Sequence, residues 1–111
     1  MPRRNALACA IALALALPAV SPAEDAADAD AQAFLASCAS CHGAQGTGDT
    51  PAGRAMKVPS FPGSELAGSE ATAICERARE VSQHAALLKK VDAATLAAAC
   101  RRVKELAAAA E

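Results

Sequence analysis

The sequence contains no tryptophan and no tyrosine, and only two of its 111 residues are phenylalanine, Phe34 and Phe61. A fold built from it must bury a thin core, because the 53% hydrophobic content is carried largely by alanine and by an apolar N-terminal stretch. The length leaves room for one domain. Domains this small are marginal unless something other than side chains fills or staples them. No run alternates with a period of two, which argues against a half-buried sheet and predicts an all-α fold. Acidic residues outnumber basic ones, 12 to 11, so nucleic acid, which calls for a clustered basic footprint, is not an expected partner. Nor is there an activated nucleophile, a carboxylate pair or a set of convergent polar groups to mark an enzyme.

The N-terminal apolar run is also short. It covers residues 6–17, or 12 residues, where a bilayer span needs about 20. Arg3 and Arg4 precede it, and Ser21-Pro22-Ala23 follows with small residues at the positions a signal peptidase reads. Residues 1–23 therefore read as a signal peptide, not an anchor. The mature chain is expected in the periplasm, with no membrane span of its own. Cys9 lies too early in the run to be a lipoprotein site. Losing Arg3 and Arg4 leaves nine of the 11 basic residues against 12 acidic ones, a net charge of −3 that suits a partner with a basic patch.

Residues 24–32 are acidic and alanine-rich and read as a flexible lead-in. Asp28 or Asp30 is placed to cap a helix that runs through Phe34 and Leu35. Residues 33–111 form the expected folded domain. Between 43 and 68 glycine and proline recur (Gly43, Gly46, Gly48, Pro51, Gly53, Pro59), which predicts one long ordered loop. A loop of that length in a small domain calls for a reason such as wrapping a ligand. A second helix is predicted from Ser69 to about Val81, with Ile74, Ala78 and Val81 on one face. The third takes Asp92 as N-cap and runs to the end. Leu96, Cys100, Val103 and Ala107 form its inner stripe, with Arg101, Arg102, Lys104 and Glu105 mostly outward.

The chemistry is concentrated in Cys38-Ala39-Ser40-Cys41-His42. This fits the C-x-x-C-H pattern of c-type haem attachment. Two thiols one helical turn apart can each bond a vinyl group on the same porphyrin edge, and the adjoining His42 then meets the iron from the proximal side. An exported chain strengthens the reading, and one haem would supply the bulk that the core lacks. Two other uses of C-x-x-C are a redox dithiol and half of a zinc site. The first normally sits in a βαβ setting, which is absent here. The second wants another paired ligand set, and Cys75, His84 and Cys100 are scattered.

Residues 33–106 resemble a class I cytochrome c. The resemblance rests on C-A-S-C-H-G (38–43) after a first helix and on the glycine-rich G-T-G-D-T-P-A-G-R-A-M-K-V-P-S-F (46–61). It ends with V-D-A-A-T-L-A-A-A-C-R-R-V-K-E-L (91–106), similar to the family's C-terminal helix. It implies the cytochrome c fold, three to four short helices around one haem, with the first and last helices crossing. It also implies redox partner proteins as electron donor and acceptor. The family usually places a methionine about seven residues before the leucine that precedes the last helix. Counting back from Val91, that place holds His84, and no methionine follows Met56. The resemblance thus offers His84 as the distal iron ligand. Met56 is left as a loop residue that packs on the haem or as a second candidate ligand, and Lys89 or Lys90 as a third. Ligation by histidine and methionine raises haem potential, so two histidines predict a lower one.

Cys75 and Cys100 remain. Spare cysteines in an exported protein favour a disulfide, and a loop closed over this separation would stabilise the fold by about 3 kcal/mol. The alternative is two buried thiols acting as apolar filler. The leading functional expectation is a monomeric single-electron carrier. A haem-based small-gas sensor with an open sixth position is the alternative, and a haem-free disulfide-bonded helical module is a third.

Overall fold

The structure, a computed structural model, describes residues 22–109. The signal-peptide reading of residues 1–23 therefore falls almost wholly outside the described residues. Six α-helices and two 3₁₀ turns make up the described chain, with no strand among those residues. Helix α1 is Pro22–Ser37, α2 Ala39–His42, α3 Pro51–Met56, α4 Ala71–Glu80, α5 Ala85–Leu88 and α6 Ala93–Ala108. The 3₁₀ turns are Glu65–Gly68, before α4, and Ser82–His84, after it.

The acidic stretch expected to be a lead-in is helical. Helix α1 carries Glu24 and Asp25 in its first turn, where acidic groups complement the helix dipole. Neither Asp28 nor Asp30 is a cap. Asp30 lies in the helix interior, buried, and Arg101 of α6 donates three hydrogen bonds to its carboxylate at 2.9 to 3.1 Å. The expected 43–68 loop is also partly folded. Thr50 caps α3, its hydroxyl accepting from the N–H of Gly53 at 2.8 Å, and Pro51 fills the first helical position. Lys57, at φ 55°, ends the helix in a left-handed conformation.

Helix α4 starts two residues later than its sequence pattern suggested, because the N–H of Ser69 closes the preceding 3₁₀ turn onto Leu66. Helix α6 begins as expected, with Asp92 accepting from the N–H of Thr95 at 2.7 Å. Its whole expected stripe, Leu96, Cys100, Val103 and Ala107, is buried.

The core lies between α1, α4 and α6. Helix α1 packs chiefly on α6, whose buried Ala98, Ala99 and Ala107 allow close approach. Phe34 is the one large side chain fully buried among the described residues, and Phe61 meets it edge-on with ring centroids 6.5 Å apart. Two further ties hold the second half of the chain to α6. Lys104 donates to the carbonyls of Ala67 and Ser69 at 3.1 and 2.6 Å. Cys75 of α4 is joined to Cys100 of α6, with Cα atoms 5.7 Å apart.

Candidate functional site

Helix α1 delivers the cysteine motif directly. The N–H of Cys38 bonds the carbonyl of Phe34 at 2.8 Å, and one turn of α2 then carries Ser40, Cys41 and His42. Gly43, at φ 81°, turns the chain away beyond His42. The loop that follows clamps the motif from outside. The N–H of Gly48 donates to the carbonyl of His42 at 2.7 Å, and the Thr50 hydroxyl donates to that of Cys41 at 2.7 Å. Gly53 lies so close that a Cβ there would collide with the carbonyl oxygens of Cys41 and Gly48. The imidazole of His42 stacks on Phe61, centroids 4.7 Å apart and planes 23° apart. The two phenylalanines thus connect the core to His42.

These groups open into a mostly apolar cavity of about 560 Å³, within the usual range for small-molecule and cofactor sites. Cys38, Cys41, His42, Met56 and His84 all line it. Ile74 and Ala78 of α4, with Val81 just after it, make one wall, and Leu96, Cys100 and Val103 of α6 make another. Met56 sits at the margin, 45% exposed. Cys75 faces away from the cavity, while Lys89 and Lys90 are exposed and do not line it.

The two histidines are brought together. Their ring centroids lie 6.1 Å apart with planes 56° apart. Nδ1 of His84 donates to the carbonyl of Ala78 at 2.6 Å, which leaves Nε2 with the free lone pair. Nδ1 of His42 is buried and has no hydrogen-bond partner among the described residues. Burial, and then the nearby His84, lowers the pKa of His42 and favours the neutral imidazole that can ligate a metal.

The thiol of Cys38 is pushed up to about 11 by burial and by Cys41 beside it. A reactive dithiol requires the opposite shift. No cluster of three or more His, Cys, Asp or Glu side chains among the described residues is arranged to hold a metal ion by itself. The residues fit a large apolar prosthetic group better. Lys57 and Arg77 also line the cavity, Arg77 while 3.6 Å from Glu65, and no carboxylate among the described residues does, which suits a ligand carrying negative charge.

Sequence reasoning missed four parts of the site. Phe61 was recognised only as core, and Arg77 carried no signal. The Thr50-Pro51 start of α3 was legible as a capped helix N-terminus but was absorbed into the loop. The Ala78 carbonyl, being backbone, leaves no trace in residue type.

A one-turn C-x-x-C-H motif at the mouth of an apolar cavity in an all-α domain defines a c-type cytochrome. The chain belongs to the cytochrome c family, whose sequence model matches residues 27–98. Covalently bound haem c, with its iron, and redox partner proteins follow from that membership. Comparison with curated proteins and with solved structures returns no significant match in either case.

Proposed function

We propose that this chain is a class I periplasmic cytochrome c that carries single electrons with its iron held between His42 and His84. The observation that carries the reading is the separation of the two imidazoles. A metal–imidazole bond of about 2 Å on each side puts opposed ring centroids about 6 Å apart, and His42 and His84 stand at 6.1 Å. Cys38 and Cys41 would form the thioethers and Met56 would pack at the haem margin. Lys57 and Arg77 would face the propionates. Residues 1–23 would be removed on export, and a disulfide between Cys75 and Cys100 accords with an oxidising compartment.

When bound, haem c supplies a one-electron iron couple. The chain's own part is to hold that couple and exclude water. The Ala78 carbonyl fixes the His84 tautomer, Phe61 braces the His42 ring, and the walls of α4 and α6 keep the site apolar. Two imidazoles stabilise ferric iron more than an imidazole and a thioether do, so the midpoint potential should lie below that of a His/Met relative.

The test is to express the full-length precursor in a host with haem-attachment machinery and record spectra. Sharp reduced α and β bands that carbon monoxide does not shift are expected, with no methionine–iron charge-transfer band in the oxidised form. The His84→Ala variant should bind carbon monoxide. A strongly positive midpoint, or a wild-type spectrum shifted by carbon monoxide, overturns the His/His reading. The latter would move the function toward gas binding.

A further inference from the structure

Helix α4 is ten residues long, too short to be stable in isolation, and it buries just two side chains, Ile74 and Cys75. Its N-cap residue, Glu70, makes no side-chain cap. The bonds from Lys104 to Ala67 and Ser69 act ahead of the helix, not on it. Its firmest hold is therefore the link from Cys75 to Cys100, both residues almost fully buried at 4% and 3% exposed.

One turn beyond Cys75 stands Ala78. Its carbonyl accepts from Nδ1 of His84 at 2.6 Å and from the N–H of Val81 at 3.4 Å. The turn that carries His84 thus hangs from this one oxygen twice. That turn, Ser82–His84, buries no residue, and α5 after it buries none either. The segment's own holds are slight, the N–H of His84 on the Val81 carbonyl at 3.0 Å and a partly buried Leu88 against the core, so the position of His84 leans mainly on α4.

We infer that the Cys75–Cys100 disulfide is a positioning device for the sixth iron ligand: by pinning α4 it pins the Ala78 carbonyl and holds His84 against competing ligands. The inference rests on the His84 reading above. A competing ligand binds only the fraction of molecules in which His84 has left, so its apparent affinity reports that fraction.

The experiment is cyanide titration of ferric holoprotein, alongside thermal melting. His84→Ala serves as the reference for a vacated position. The double variant Cys75→Ala/Cys100→Ala should bind cyanide about tenfold more tightly than wild type, a coupling of ordinary size. Ala78→Gly, which loosens the last turn of α4 with the disulfide intact, should shift affinity in the same direction. Unchanged cyanide affinity in the double variant, with only a lower melting temperature, would make the disulfide a simple staple and overturn the inference. If the double variant fails to retain haem, Ala78→Gly decides, and unchanged affinity there overturns it. Should His84→Ala itself bind cyanide no better than wild type, the ligand reading fails and this inference falls with it. A vacated position in His84→Ala with tight closure in the cysteine and Ala78 variants defeats the inference alone.

Discussion

Asp30 and Arg101 stand 71 positions apart in the chain and meet as a hydrogen-bonded ion pair that fastens α1 to α6. The carboxylate is buried, while the guanidinium is about half exposed. Removing one partner is therefore not equivalent to removing the other. Arg101→Met strands a buried charge and should cost about 3 kcal/mol. Asp30→Asn keeps an acceptor and removes the charge, so it should cost about 1 kcal/mol. Denaturant melts of the two variants check the order. The hydrogen bond and the charge of Asp30 raise the pKa of Arg101, so the arginine stays charged at any working pH. Residue-scale features of this kind were illegible in the sequence, where an aspartate ahead of an apolar stretch reads as a helix cap. The cysteine motif was legible for the opposite reason. Its spacing is local and set by covalent chemistry, so one turn of chain contains the whole signal.

Elements with a long apolar stripe were read correctly, and short ones were not. Helix α6 has room for the four-residue stripe of Leu96, Cys100, Val103 and Ala107, and Asp92 marks its start. Helix α3 has six residues and buries only Gly53, so periodicity had nothing to act on. The cap of α6 also sets a pH response. The N–H of Thr95 holds the Asp92 carboxyl below the usual aspartate range. A carboxyl depressed on folding contributes stability above its unfolded pKa and loses it as pH falls through the folded one. Asp92→Ala should therefore melt several degrees lower at neutral pH. The gap to wild type should narrow once the pH drops below the ordinary aspartate value. Melting curves of both proteins from neutral to strongly acidic pH test this.

At the scale of the whole molecule, the scarcity of aromatics becomes a dependence on the haem. Among the described residues one large side chain is fully buried, and they line a cleft of about 560 Å³; leaving apolar groups over such a cleft unpacked is destabilising. Cys38→Ala/Cys41→Ala, which removes the two thiols proposed for attachment, should lose most of its helical circular dichroism and its cooperative melt. A native-like melt without haem would mean that the helices pack well enough alone. The all-α class and the need for a filler were visible from composition and pattern. The pairing of distant helices was not, because nothing in residue type records it, and the family resemblance supplied it instead. That pairing also bears on the order of assembly. The main partner of α1 is α6, the last helix of the described chain. Until α6 is in place, α1 lacks its main packing partner. On the function proposed above, Cys38, Cys41 and His42 stay accessible until α1 and α6 close, so haem attachment should precede that closure.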